Sequence, residues 1–377
     1  MGSTEMVTLR GVNLGSWLVL EKWMVPSLFV GLEATDETTW CVELGQEAAP
    51  RLRAHWASWI TRDDFAWIAE RGLTLVRIPF GHWVMGPPYP YHPKYGANQT
   101  PFVDGGIEVL DQAMRWAETY GLKVLLDLHA APGCQNGFDN GGMLNVCEWH
   151  TKAEYIDFSV ELLGRLAERY RSEKALWGIE LLNEPRWDVP TPILIDYYRR
   201  AWRAVRRHLP PEQAVVMFHD GFRDWREYLG HFPPADYPNL WFDVHRYQCF
   251  TREDLDADIF EHLRKTAIDL RAEADAIRAE LQLPTICGEW SLGLDLEVVS
   301  LWAEGPFNHP LQALDPFQQE VAMRAFAATQ LLTFERYDGW CFWNYKTETT
   351  PAWSLREGVA RGWLPPSFAA TAYPPLD

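Results

Sequence analysis

Two glutamates stand out as residues placed to do chemistry. Glu184 in LLNEPRW and Glu289 in ICGEWS each follow an apolar, strand-like run and precede a Pro or a Trp, unlike an ordinary solvated surface acid. Such an acid can instead serve in a buried ion pair or at a helix N-terminus. Two carboxylates that face each other in unequal environments, one able to give a proton and the other an anion, are what glycoside hydrolysis requires. Asn183, beside Glu184, is a candidate donor to a sugar hydroxyl. Arg77 and Tyr247 are candidates to hold Glu289 ionised, by charge and by hydrogen bonding.

These residues belong to a wider pattern. Short apolar runs read as strands at Thr8–Val19, Leu73–Phe80, Lys123–His129, Leu176–Asn183, Ala214–Phe218, Leu240–His245, Pro284–Glu289 and Gly339–Tyr345. Their exits deliver Arg77, His129, Asn183 with Glu184, His245 with Tyr247, Glu289, and Trp343. Amphipathic stretches lie between them at Ile107–Tyr120, Tyr155–Tyr170, Ile193–Leu209, Arg252–Leu281 and Pro316–Arg336, with apolar residues on one helical face. Strand followed by helix, repeated about eight times without a low-complexity linker, predicts one (β/α)8 barrel over residues 1–377. A doubly wound open sheet is the alternative, but no Gly-rich fingerprint follows the first strand. Long Gly, Pro and Asn-rich loops follow the strands, as at Gly81–Gly106 and Ala130–His150, whereas the turns entering strands are short. In a barrel the post-strand loops share the face that carries the active site. The segment Glu21–Ala54 adds a wall or floor.

Composition narrows the partners. The 377 residues carry 34 Lys and Arg against 52 Asp and Glu, a net charge of −18 with no long basic run, which disfavours nucleic acid and anionic membranes. No stretch approaches the roughly 18 consecutive apolar residues of a membrane span. The start, MGSTEMVTLRG, has no basic region followed by an apolar one, which fits either a cytoplasmic chain or one whose leader has been removed. A monomer is expected. Twenty tryptophans favour carbohydrate, because an indole offers a flat apolar face and one donor. The six cysteines form no CxxC pair, although Cys134 and Cys147 share one loop and could bridge. His129 and His245 have no HExxH or paired-Cys spacing around them, so no metal or cofactor is expected. No GxSxG elbow is present.

Taken in order, RGVNLGSWLVLEKWMVPSLF, VRIPFGHW, LLDLHAAPGCQNGFDN, GIELLNEP, DVHRYQCF, CGEWS and GWCFWNYKTE resemble glycoside hydrolase family 5, most of all its exo-β-1,3-glucanase branch, from about residue 9 to 366. The resemblance implies a retaining barrel enzyme with Glu184 as acid/base and Glu289 as nucleophile. It places Arg77, His129, Asn183, His245 and Tyr247 around the sugar that is cleaved off, with Trp343 as the platform under its ring. It also implies that Glu21 contacts non-reducing-end hydroxyls and that Phe138 and Phe250 clamp the substrate at the entrance. Three departures bear on substrate. Tyr345 replaces the second Trp of the family's FWTWKTE, the Pro87–Tyr95 loop is distinctive, and in Gly141–Trp149 an Asn, Asn145, stands where relatives have an acid that fixes the terminal sugar. The expected activity is release of glucose from the non-reducing end of a β-1,3-glucan or related β-glucoside. Endo-acting glucanase, a glucosidase for lipid-linked or aryl glucosides, and a silent carbohydrate-binding barrel are the alternatives.

Overall fold

The computed structural model describes residues 9–97, 100–294 and 310–369. Eight parallel strands close in sequence order: β1 (Leu9–Asn13), β2 (Leu75–Gly81), β3 (Lys123–Ala130), β4 (Leu176–Glu180), β5 (Val215–His219), β6 (Leu240–His245), β7 (Thr285–Trp290) and β8 (Gly339–Phe342). Closure comes from parallel pairing of β1 with β8, from Leu9 opposite Gly339 to Val12 opposite Phe342. An open sheet is thereby ruled out, and the fold is the expected (β/α)8 barrel.

Strand parity explains both the core and the site. Side chains alternate across a strand, so one set faces the surrounding helices and the other the barrel axis. The outward set, including Val76, Ile78, Val124, Leu126, Val216, Phe242 and Val244, joins the main hydrophobic core under the helices. The inward set begins with a separate apolar layer of Leu75, Leu125, Val215, Met217, Trp241, Ile286 and Cys341. Two residues further along, the same parity delivers Arg77, Asp127, His219, Asp243 and Trp343, and one repeat later His129 and His245. The barrel is apolar at its base and charged at its mouth because the sequence switches type within each strand.

The helices cover this cylinder as their periodicity predicts. Helices at Ala153–Arg169 and Thr191–Arg206 bury Leu162, Leu163 and Leu166 on one and Leu194, Tyr197, Tyr198 and Ala201 on the other. Fully burying one such leucine stabilises by about 1.5–3 kcal/mol. Helices Gly106–Tyr120 and Pro316–Phe334 also lie where expected.

Two expectations need correction. The segment Arg252–Leu281 is not one helix but Arg252–Asp256, Ile259–Arg264, a π-helical turn Lys265–Leu270, and Arg271–Glu280. Thr251 caps the first piece, and Asp258 with Glu261 forms a capping box that starts the second, so local hydrogen bonding divides the apolar stripe. The first strand ends at Asn13 rather than Val19, and Thr8 lies outside the described residues. The Asn13 amide donates to the carbonyls of Gly288 (2.9 Å) and Phe342 (3.3 Å), and the Gly15 N–H goes to the side chain of Asn344 (2.9 Å), which turns the chain out of the sheet.

The Glu21–Ala54 segment forms a wall containing a 3-10 turn (Pro26–Phe29), a helix (Glu37–Leu44) and the start of another (Ala48–Trp59). Asp36 ties it to the mouth. Besides capping the Glu37 helix, its carboxylate accepts from the Leu144 N–H (3.0 Å) and from Lys94 Nζ (3.2 Å). One buried acid thus connects the wall to the loops after β2 and β3.

Candidate active site

Glu289 sits near the end of β7, where strict alternation would turn it outward. A register shift after Val244 pairs it with His245 instead and brings its carboxylate inward. Gly288 makes this possible, since a Cβ there would lie 2.2 Å from Asp243 Oδ2, and its N–H donates to Asp243 Oδ1 at 2.7 Å. Arg77 donates to Glu289 Oε1 at 2.9 Å, and the Tyr247 hydroxyl donates to Oε2 at 2.7 Å.

Glu184 reaches the mouth from the loop after β4, on a backbone with φ of 43°, a left-handed conformation that a residue with a Cβ adopts at a cost. Its Oε1 is 2.7 Å from His245 Nδ1, and its Oε2 accepts from the Asn140 amide at 3.1 Å. The same His245 nitrogen is 3.4 Å from Glu289 Oε2. The facing oxygens of the two acids are therefore no more than about 6 Å apart, close enough to flank one glycosidic bond.

Arg77 organises the floor. It is fully buried, and besides Glu289 it donates to Glu180 (2.7 Å), Asn13 Oδ1 (3.0 Å) and Asn183 Oδ1 (2.7 Å), with Asp127 3.2 Å away. With Oδ1 so engaged, Asn183 turns a buried Nδ2 that has no protein partner. His129 is similar: Nδ1 is 2.6 Å from Asp127, while its buried Nε2 is unpartnered. Gln135 joins these two elements by donating to the carbonyls of His129 (2.7 Å) and Asn183 (2.8 Å). Buried polar atoms left over in this way suit a ligand rich in hydroxyls.

Electrostatics set the acids apart. Burial pushes Glu184 up, but the hydrogen bond and charge of His245 outweigh it and hold Glu184 below the usual carboxylate range. Burial wins at Glu289, which is raised even though His245 and Arg77 oppose the shift. His245 itself is held well above an ordinary imidazole, since the charges of Glu289 and Asp243 and its hydrogen bonds overcome its burial. These contacts favour its imidazolium form, shared among carboxylates.

That state bears on metal binding. Among the described residues, Glu184 with His219 and His245, and Glu180 with Asp243 and His245, have ligand-type atoms close together. Both nitrogens of His245 are committed, Nδ1 to Glu184 at 2.7 Å and Nε2 to Asp243 at 3.2 Å. His219 accepts the Gly221 N–H at Nδ1, so its Nε2 carries a hydrogen. Neither set offers the free imidazole lone pairs that a metal needs.

On the wall side, Glu21 is buried, accepts from Trp23 Nε1 at 2.9 Å, and leaves Oε1 without a partner. Burial and then the charge of Asp139 push it well up. Trp343 lies flat against His129, with centroids 5.4 Å apart and planes at 4°. Tyr345 instead turns away and donates its hydroxyl to Asp64 at 2.7 Å, so the aromatic facing the mouth from β8 is Trp343. Phe138 is half-buried with its ring near Trp187, and Phe250 is half-exposed, edge-on to Tyr247 at 5.4 Å.

Asn145 is not brought to this cluster. It is exposed in a left-handed turn, with its N–H on the Gly137 carbonyl (2.8 Å). Asp139 and Asn140 of the same loop are the residues that reach Glu21 and Glu184. The QNGFDN block holds that signal, since it carries an acid and an amide side by side. Cys134 and Cys147 do not bridge: both are free, the first engaged with Asn136 and Gly137 and the second with the Gln135 carbonyl.

Comparison with known proteins finds relatives along nearly the whole chain. The chain is 36% identical over 400 residues to the probable glucan 1,3-beta-glucosidase A of Emericella nidulans, covering 97% of this chain and 92% of that protein. It is 33% identical to the glucan 1,3-beta-glucosidase of Blumeria graminis, covering 95% and 86%. Among solved structures, rutinosidase from Aspergillus niger shares the fold with a TM-score of 0.76 at 20% identity, over 94% of this chain and 97% of that one. The family model for cellulase (glycosyl hydrolase family 5) matches residues 41–347, and the chain belongs to that family.

Proposed function

We propose that this chain is a retaining β-glucosidase acting on β-1,3-glucan from its non-reducing end, with the whole chain serving as one monomeric catalytic unit. The observation that carries the mechanism is the pair of acids held within about 6 Å through one imidazole. Glu289, backed by Arg77 and Tyr247, attacks the anomeric carbon. Glu184 gives a proton to the departing glycosidic oxygen. Water, deprotonated by Glu184, then releases glucose from the Glu289 ester with the original anomeric configuration.

The two pKa shifts run opposite to those of an isolated acid and an isolated nucleophile: His245 lowers Glu184, while burial raises Glu289 against His245 and Arg77. The proton needed by the leaving group rests on the Glu184–His245 hydrogen bond, where Nδ1 is 2.7 Å from Oε1. Glu184 passes that one proton to the leaving oxygen and is left as the carboxylate beside a neutral imidazole; the proton it then takes from water restores the Glu184–His245 hydrogen bond, and Asp243 on Nε2 keeps the ring in place throughout. Before the proton leaves, Arg77, Tyr247 and the imidazolium favour the Glu289 anion and oppose the burial and the Glu184 charge that raise it.

Exo action is supported by the wall. Glu21, with a buried unpartnered oxygen beside Asp139, suits a chain end whose hydroxyls must be satisfied. Trp343 is the platform beneath that ring, and Phe138 and Phe250 grip the next sugar. The names carried by the curated relatives support glucan as the substrate. Time-resolved chromatography of laminarin digests tests this reading. Glucose as the only early product is expected, whereas an initial spread of longer oligosaccharides, or no cleavage, would overturn it.

A further inference from the structure

The rim beside Glu184 carries an indole that packing does not explain. Trp187 follows Glu184 by three residues and is 60% exposed, while Trp17, Trp40 and Trp149 are buried. Its backbone is nevertheless firmly held. The buried Arg223 side chain donates from Nη2 to the carbonyls of Trp187 (3.0 Å) and Arg186 (3.3 Å), and also to that of Val189. The Arg186 guanidinium is matched by Asp188 in a two-point contact at 2.6 and 2.8 Å. The charges flanking the ring are thereby neutralised by each other, and a flat apolar face on a firmly held backbone is left in water.

Direction decides what such a face would meet. The Trp187 ring lies 6.4 Å from that of Phe138, inclined at 42°. Two residues after Phe138, Asn140 hydrogen-bonds Glu184. Both rings therefore belong to the loops that carry Glu184 and its partner Asn140, and on the proposed function Glu184 is the acid that protonates the departing chain. Phe138 is the inner ring and Trp187 the outer one.

We propose that Trp187 is a stacking platform for the third glucosyl unit of a β-1,3-glucan, one sugar beyond the unit gripped by Phe138 and Phe250. The assignment rests on the proposed function, and it makes Trp187 a determinant of chain-length preference. A stacked indole is tolerant of ring orientation, so it gains affinity from length without reading individual hydroxyls.

The test compares kcat/KM for laminaritriose and laminaribiose in the wild type, Trp187→Ala and Trp187→Phe. The disaccharide ends before the platform and the trisaccharide reaches it. The triose-to-biose ratio should fall about threefold to tenfold in Trp187→Ala, the span expected for one aromatic stack, and return to within about twofold in Trp187→Phe. An unchanged ratio in an enzyme that cleaves both sugars overturns the platform alone, as does a wild type that gains nothing from the third unit. A fall that Trp187→Phe does not recover assigns the effect to the loop and also overturns it. A wild type that cleaves neither sugar refutes the substrate reading, and the platform's occupant with it.

Discussion

The mouth of the barrel contains two groups of buried carboxylates that differ in what surrounds them. At the centre, Glu184 and Glu289 are met by Arg77, His245, Tyr247 and Asn140. On the wall, the charge of Asp139 acts on Glu21, neither acid has an ion pair among the described residues, and Glu37 accepts from the Leu20 N–H at 2.8 Å with the Trp83 indole beside it. Burial pushes all three wall acids up, Glu37 to about 8. The same residue type at the same depth thus serves two purposes. At the centre, His245 holds Glu184 below the usual range and, with Arg77, opposes the burial that raises Glu289. Without a cation, a wall acid favours its neutral form, which can both donate and accept hydrogen bonds with sugar hydroxyls.

The largest expected effect of breaking this contrast is at the centre. Glu184→Ala should lower turnover of β-1,3-linked oligosaccharides by about 10²–10⁴-fold. An aryl glucoside with a leaving group that needs no proton should lose far less, and azide should restore its turnover by occupying the space left by the carboxylate. Equal losses on both substrates without rescue would remove Glu184 from the acid/base role.

The wall predicts a smaller effect, on stability rather than rate. Glu37 has a folded pKa of about 8 against an ordinary value of 4.5. The folded state therefore binds its proton more tightly than the unfolded state. Its contribution is full below about pH 4.5 and is lost as pH rises through about 8. A tenfold difference in proton affinity corresponds to about 1.4 kcal/mol, so the loss is of the order of a few kcal/mol at most. Glu37→Gln keeps an acceptor for the Leu20 N–H and removes the titration. Thermal melts between pH 5 and 8.5 should show the wild type losing more stability than the variant. Superimposable curves would show that Glu37 is not the neutral acid described here.

The centre is more legible in the sequence than the wall, for a geometric reason. Alternation along a strand fixes which side chains face the axis, so His129, His245 and Trp343 can be read from apolar runs that end in a polar or aromatic residue, and Arg77 from being the lone cation inside LTLVRIPF. Asp127, Glu180 and Asp243 carry a related signal, as single acids inside LLDLH, LWGIE and LWFDVH, but they lie within the runs and a reading of strand exits passes over them. Loops have no such period. Within Ala130–His150, which polar side chain turns inward depends on how the chain folds back, and that is why the sequence points to Asn145 where Asp139 and Asn140 stand. Glu289 lies between these cases, since its type and motif mark it while only the register shift at Val244 brings it inward.

The central claim is that Glu289 is the nucleophile while Glu184 shares its proton with His245. A glucoside fluorinated next to the anomeric carbon and bearing a good leaving group should form the glycosyl-enzyme faster than water removes it. Mass spectrometry of a proteolytic digest then locates the added sugar. Label is expected on the peptide containing Ile286–Ser291, carried by Glu289, and none elsewhere. Label on the peptide containing Glu184, or turnover with inversion and no trapped intermediate, would contradict it.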